Sequence, residues 1–225
     1  MAHDIAARSW DAEYASGRYA GDPPVGFVDD IITAAGEAGI SRGLYIGCGN
    51  GRNYIPLSQA GLDLTGLDIS ATAISQLAAR LSGLHGRLVT GDLSALPAGQ
   101  RFPLTVAIQV LQHGTRGETH GLLAESLERV APGGLFAVRV NAAGTDVHHA
   151  HEVTERDADG SYSVRYQEGP KAGLTVHFWA ARELDAAVTA EGFSPLLPLR
   201  PQATWRARRE QGLWLQWEGI YQRPA

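Results

Sequence analysis

The chain has 225 residues, a single cysteine and a formal net charge of −5. That length supports one α/β domain with a good core, and the acidic balance argues against a general nucleic-acid footprint. No apolar run approaches the roughly 20 residues of a membrane span, Met1 to Ser9 lacks the apolar core of a signal peptide, and one cysteine rules out an intramolecular disulfide and suits a reducing compartment, hence the cytoplasm.

Near the N-terminus, Trp10-Asp11-x-x-Tyr14 and Tyr19 precede a helix that Asp22-Pro23-Pro24 is expected to start, because proline suits a first helical turn. Phe27, Ile31 and Ile32 give that helix an apolar face. Gly43 to Ile46 then reads as a buried strand ending in Gly47-Cys48-Gly49-Asn50-Gly51-Arg52-Asn53. Glycines there let the chain turn sharply and bring backbone close to a ligand over the strand's carboxyl end. A dinucleotide turn usually runs G-x-G-x-x-G; here the third spaced position is Arg52, which weakens a nicotinamide or flavin reading.

A second strand, Leu62 to Leu67, ends in Asp68, about 20 residues beyond Gly47, the separation expected of a carboxylate that grips a ribose diol. Ser70 is the better cap for the helix Ala71 to Leu81, whose Ile74, Leu77, Ala78 and Leu81 share a face. Further strands are expected at Arg87 to Thr90, before Gly91-Asp92-Leu93; at Pro103 to Val110; and at Leu135 to Val140, entered through Pro132-Gly133-Gly134. With Pro195 to Leu199 and Trp214 to Gln222 this makes seven strands, alternating with helical segments as in a doubly wound, mostly parallel α/β sheet. Gly47, Asp68, Asp92, Gln109 to His113 and Asn141 all fall at strand carboxyl ends, where such sheets collect ligands.

Between the fifth strand and the helix Arg182 to Glu191 lie about forty residues that a minimal fold does not need. Asp157-Ala158-Asp159-Gly160 is a turn signal, Tyr162 to Tyr166 alternates like a strand, and Leu174 to Trp179 reads as another. Residues 141–179 are therefore expected to form a small β-cap insertion in a single domain of residues 1–225, and to hold substrate specificity.

The set Ile46-Gly47-Cys48-Gly49-Asn50-Gly51, Leu67-Asp68-Ile69-Ser70, Gly91-Asp92-Leu93, Val110-Leu111-Gln112-His113 and Leu127-x-x-Val130-x-Pro132-Gly133-Gly134 resembles a class I S-adenosylmethionine-dependent methyltransferase, motif by motif over about residues 40 to 140. The glycine run is most similar to the small-molecule branch that includes tellurite-resistance and thiol methyltransferases. The resemblance implies a Rossmann-like fold, S-adenosyl-L-methionine as cofactor and S-adenosyl-L-homocysteine as product. It also implies that Gly47, Cys48 and Gly49 bear the methionine part, with Asn53 and Ile69 in the same contact set. Asp68 would hold the ribose hydroxyls, Asp92 the adenine amino group beside the Leu93 backbone, and Gln109 would stand next to the sulfonium. Residues 1–38 would form a lid whose Tyr14 and Tyr19 touch substrate or cofactor. One position departs from the pattern: Tyr45 stands where the family commonly has an acidic residue for the cofactor's ammonium group.

The acceptor is less legible. Imidazole suits proton acceptance near neutral pH, and His177, His113 and His148, in that order, are the candidate bases, followed by His149. A metal site on His148, His149 and His151 lacks the i, i+4 geometry of a helical zinc pair, and no metal is expected. Arg139, Asn141 and Arg165 would orient an anionic or amide-bearing substrate, while Tyr162, Tyr166, Phe178 and Trp179 would wall a planar one. The expected partner is a small-molecule methyl acceptor, with no nucleic acid or membrane, and the chain is a monomer or homodimer. Two other readings stay open: a nicotinamide-dependent oxidoreductase, and a non-catalytic protein using this fold to bind cofactor or a partner subunit, for which Tyr45 is the support.

Overall fold

The structure, a computed structural model, describes residues 2–81, 86–206 and 208–225. In chain order the helices are α1 (Ala2–Ala15), α2 (Phe27–Glu37), α3 (Tyr54–Gln59), α4 (Ala71–Arg80), α5 (Arg116–Glu128) and α6 (Ala181–Ala190). The strands are β1 (Arg42–Ile46), β2 (Asp63–Asp68), β3 (Gly86–Thr90), β4 (Phe102–Ile108), β5 (Val130–Asn141), β6 (His151–Arg156), β7 (Tyr162–Tyr166), β8 (Thr175–Phe178), β9 (Ser194–Trp205) and β10 (Leu213–Gln222). Seven strands form one sheet in the order β3-β2-β1-β4-β5-β10-β9, and β6-β7-β8 form a second, three-stranded sheet. The expected doubly wound, mostly parallel seven-stranded sheet is present. Contacts divide the chain into two compact units, residues 1–106 with 128–135 and residues 107–127 with 136–225.

In the first unit β1 pairs in parallel with β2, and β2 with β3. Leu44, Tyr45, Ile46, Leu64 and Leu67 are all buried, as continuous apolar runs are in a sheet covered on both faces. Ser70 caps α4 as expected, its Oγ accepting from Ala73 N at 3.0 Å. Helix α1 was not expected. Its alanines favour helix, and its place is set by long-range bonds: Asp11 Oδ1 accepts from Ser70 Oγ at 2.6 Å and from Thr72 N at 3.0 Å, and the Tyr14 carbonyl accepts from Gln76 Nε2 at 3.0 Å. Helix α2 starts at Phe27, later than Asp22-Pro23-Pro24 suggests. The residue before a proline is pushed out of helical geometry, and two contacts hold the segment out of the helix: Arg52 Nε donates to the Pro23 carbonyl at 2.6 Å and Val25 N donates to Asn53 Oδ1 at 3.0 Å.

In the second unit β7 pairs antiparallel with both β6 and β8, forming a sheet within residues 141–179. Its own core is Val164, Val176 and Phe178, against which Val147, Tyr162 and Tyr166 pack. Strand β6 was not read from sequence because its residues are mostly exposed and carry no apolar alternation. Strand β9 extends well beyond Pro195 to Leu199, pairing antiparallel with β10 as a long hairpin at the sheet's edge. It carries Pro195, Pro198 and Pro201.

Gly51 sits under a tight local requirement. Its φ is +99°, and a Cβ there would lie 2.5 Å from Leu77 Cδ1 and 2.9 Å from Ile55 Cδ1. Gly51→Ala is expected to lower stability by about 2 kcal/mol through left-handed strain and this crowding, read as a fall in the urea midpoint with unchanged slope.

Candidate functional site

In the first unit the turn after β1 is folded back on the end of β2. Gly47 N and Cys48 N both donate to the Leu67 carbonyl, at 2.7 and 3.1 Å. Gly49 N donates to Asp68 Oδ2 at 2.8 Å, and Ser70 N to Asp68 Oδ1 at 2.9 Å. Gly47 and Gly49 have φ of +68° and +55°, the left-handed region that glycine enters without a Cβ penalty. Gly49 also has a steric reason: a Cβ would stand 2.5 Å from the Tyr14 hydroxyl. The α1 tyrosine thus lies over the glycine turn, its ring 5.8 Å from that of Tyr19.

Electrostatics follow from this burial. Burial raises the Asp68 carboxyl, against the two N–H bonds that hold it ionised. Burial and the charge of Asp68 push the Tyr14 phenol up, so it stays a neutral donor. The same two causes raise the Cys48 thiol well above its ordinary value, which removes it as a nucleophile. Asp92 Oδ1 accepts from the backbone N and the hydroxyl of Ser94, shaping the turn after β3. Leu93 is buried, and its carbonyl accepts from Arg129 Nη2 at 2.9 Å. Asn53 is buried and engaged with Val25, and Ile69 is half-buried. Tyr45 is 1% exposed, its ring 6.1 Å from that of Tyr54, and belongs to the core.

In the second unit Gln109 takes φ of +59°, uncommon for a residue with a side chain. Its N donates to the Arg139 carbonyl at 2.7 Å, and its carbonyl meets His113 Nε2 at 3.1 Å. His113 Nε2 must carry the proton for that bond, and burial, then the charge of Lys171, press the ring's pKa down to about 3. His113 is therefore a tether for the Gln109 turn and a poor proton acceptor.

His177 also has a different job from the expected base. It is fully buried and lies between Ser163 and Glu183. Ser163 Oγ gives its one proton to Glu155 Oε2, at 2.7 Å. Glu155 is held below the ordinary carboxylate range by the Arg116 backbone N–H and by Ser163. In Glu183, burial works upward, but bonds from His120 and His177 and the charges of His177 and Arg116 outweigh it and hold the carboxyl low. His177 thus has Nδ1 against Ser163 at 3.0 Å and Nε2 against Glu183 at 3.1 Å. Both ring nitrogens are engaged, which leaves none for a substrate proton. Glu183 Oε1 further accepts from Arg116 Nε at 2.7 Å and His120 Nε2 at 2.8 Å, so one carboxylate joins α5, β8 and α6. Sequence reading missed this hub: its members lie 63 and 67 residues apart along the chain, and no local pattern links them.

The remaining acceptor candidates are placed as follows. His148 is exposed, its ring 4.0 Å from that of His149, and slight burial and the charges of His149 and Arg206 lower its pKa. His151 Nδ1 lies 2.8 Å from the His149 carbonyl. Among the described residues no three His, Cys, Asp or Glu side chains could hold a metal ion. Arg139 forms an ion pair with Glu218 at 2.8 Å, both side chains buried, and Glu218 also meets Arg200 at 3.3 Å; its charge is committed within the fold. Phe178, 1% exposed, stacks on Tyr162 at 4.8 Å and 12° in the cap's own core. Tyr166 is half-buried against the same core, and Arg165 is exposed. Asn141 is buried at the end of β5.

A family model described as "Methyltransferase domain" matches residues 44–134, the stretch that holds the glycine turn, Asp68, Asp92 and Gln109. Over residues 44–134 the chain is similar to a methyltransferase domain. The resemblance read from sequence stands, and with it S-adenosylmethionine as the cofactor that this domain implies. No curated protein matches the chain. Among solved structures, the 1,6-didemethyltoxoflavin-N1-methyltransferase of Burkholderia thailandensis, with bound 1,6-didemethyltoxoflavin and S-adenosylhomocysteine, has a TM-score of 0.68 at 18% identity, over 99% of this chain and 88% of that one. The magnesium protoporphyrin IX methyltransferase of Synechocystis PCC 6803, with bound S-adenosylmethionine, has a TM-score of 0.66 at 16% identity, over 98% and 96%. TehB of Haemophilus influenzae has a TM-score of 0.64 at 18% identity, over 95% and 67%. At these identities the likeness is one of fold.

Each Asp68 oxygen accepts one backbone N–H and keeps a second lone pair, which fits a ribose diol. The cap hub makes a separate, testable demand. Glu183→Gln removes the buried charge to which Arg116, His120 and His177 are bonded and is expected to cost about 3 kcal/mol at neutral pH. A depressed carboxylate contributes stability in full above its ordinary pKa of 4.5 and loses it as pH falls toward the folded value. The gap between wild type and variant in urea unfolding should therefore narrow below that pH.

Proposed function

We propose that the chain transfers a methyl group from S-adenosylmethionine to a small-molecule acceptor by in-line displacement. The observation that carries the cofactor half is Asp68, an 8% exposed carboxylate at the end of β2, pinned by Gly49 N and Ser70 N. Its free lone pairs accept the two ribose hydroxyls. The Gly47–Gly49 backbone, including Cys48, takes the methionine part, with Asn53 fixing the approach to the turn through Val25. Asp92 accepts from the adenine amino group, and Leu93 and Ile69 flank the ring. Tyr14 and Tyr19 cover the turn. When bound, S-adenosylmethionine supplies an electrophilic methyl on sulfonium sulfur.

The chain's own work is then alignment and exclusion of water, which can supply most of such a reaction's acceleration. His113 contributes by fixing the left-handed Gln109 turn, and the Glu183–His177 hub by holding the cap sheet. Neither is a base, so the acceptor is one that needs little deprotonation, or that loses its proton to solvent. His148 remains the exposed imidazole of the set. Acceptor choice rests with residues 141–179, and a small-molecule acceptor is supported by the small molecules named for the toxoflavin and protoporphyrin enzymes. A cytoplasmic monomer or homodimer completes the reading.

Calorimetry with S-adenosylmethionine and S-adenosylhomocysteine tests it directly. Both should bind, and Asp68→Asn should weaken both at least about tenfold, in line with the ~1.5–3 kcal/mol of hydrogen bonds to a charged group. Thermal melts separate that loss from misfolding. Absence of binding by either ligand would sink the proposal.

A further inference from the structure

Two primary amides at the strand ends have their oxygens used and their nitrogens to spare. Gln112, in the turn after β4, is 1% exposed, and Asn141, the last residue of β5, is 3% exposed. Gln112 Oε1 accepts from Asn141 N at 2.7 Å. Asn141 Oδ1 accepts from the indole Nε1 of Trp214 on β10, at 2.9 Å. Both partners are obligate donors, so the atoms facing them must be oxygens, and the amide orientations follow from chemistry rather than choice.

The backbone around the pair is equally committed. The Gln112 carbonyl accepts from His177 N and the Asn141 carbonyl from Trp179 N, both at 2.9 Å. What remains is Nε2 of Gln112 and Nδ2 of Asn141, with two N–H bonds each. Among the described residues neither nitrogen has a hydrogen-bond partner, and neither is sealed from solvent. Buried polar groups in folded proteins are normally satisfied. Two that are more than nine-tenths buried, joined through one hydrogen bond and presenting only donors, make a preorganised acceptor-binding pair.

We propose that Gln112 and Asn141 bind a carbonyl-type oxygen of the methyl acceptor, with Trp214 as the positioning residue that keeps the Asn141 amide turned the right way. The acceptor class is then a ring or chain bearing an amide, lactam, imide or quinone-like oxygen. Neutral donors suit a neutral oxygen. The cations nearest in the sequence are committed elsewhere, Arg139 to Glu218 and Arg116 to Glu183, at 2.8 and 2.7 Å, so a free carboxylate would find dipoles but no counter-charge from them. The inference rests on the methyl-transfer reading for the word acceptor; the oxygen-binding pair itself does not need it.

The test uses the full chain and ligand-observed NMR titration, with S-adenosylhomocysteine present and again without it. The probes are 2-pyridone and phthalimide, which carry carbonyls, against pyridine and aniline, which do not. The carbonyl probes should bind at least about tenfold more tightly. Gln112→Glu and Asn141→Asp keep the oxygens that hold Asn141 N and Trp214 while replacing the donors, and each should lower carbonyl-probe affinity at least about tenfold. Trp214→Phe frees the Asn141 amide to rotate and should narrow the preference for 2-pyridone over aniline, an effect that lost packing alone would not produce. The proposal is overturned if no carbonyl probe binds at millimolar concentration, if aniline binds as well as 2-pyridone, or if variants with wild-type melting temperature keep wild-type affinity. Calorimetry with S-adenosylhomocysteine on the same wild-type sample reports the cofactor reading separately: its failure leaves the cofactor-free titration as the measure of the amide pair.

Discussion

The first unit depends on how one carboxylate is shared. Asp68 gives one oxygen to Gly49 N and the other to Ser70 N, so the glycine turn after β1 and the start of α4 are tied to the same strand end. Ser70 passes the connection on: its hydroxyl caps α4 through Ala73 N and donates to Asp11 on α1. Burial raises the carboxyl, so these bonds are also what keep it charged. A ligand that adds donors to the free lone pairs reinforces the same charge state. The group that shapes the turn is the group that its ligand would meet, and the two demands agree in sign.

The second unit is organised differently, around charge that is sealed in. Glu183 gathers Arg116, His120 and His177, and Glu155 closes the far side through Ser163. Isolated, any of these ions would be expensive to bury. Arranged as alternating acceptors and donors they satisfy one another, at the expense of any chemistry with an outside molecule. This is why a histidine at the most functional-looking position, His177, is a structural residue with both ring nitrogens taken. The proton accounting that excludes it as a base is the same accounting that leaves Gln112 and Asn141 with donors to offer.

Much of the first unit was legible in the sequence because its determinants are local. Gly47, Gly49, Asp68 and Ser70 lie at strand ends whose apolar runs are plain, and the spacing of Gly47 to Asp68 reflects one crossover of the chain. The mostly parallel character of the large sheet followed from strands alternating with helices. Helix α1 escaped because its anchors are bonds from Asp11 to Ser70 and Thr72, some 60 residues away. Strand β6 escaped because it is held by pairing with β7 and buries little. The expected roles of Arg139 and Phe178 were plausible by residue type, but type does not reveal that Glu218 or Tyr162 already occupies the side chain. Histidine chemistry was the least legible of all, since it depends on which neighbour donates and which accepts.

Strand β9 is the last strand of the large sheet, and three of its twelve residues are prolines. Pro195 and Pro201 sit opposite Tyr221 and Trp217, while Pro198 falls in the irregular stretch of pairing between Leu197 and Arg200. A strand this long at an exposed border would ordinarily offer a row of amide donors to any passing chain. A proline has no N–H to contribute to such a row. The border of the sheet is thus poorly suited to recruiting another strand, and the protein can keep a long hairpin there without inviting growth into a fibre-like stack.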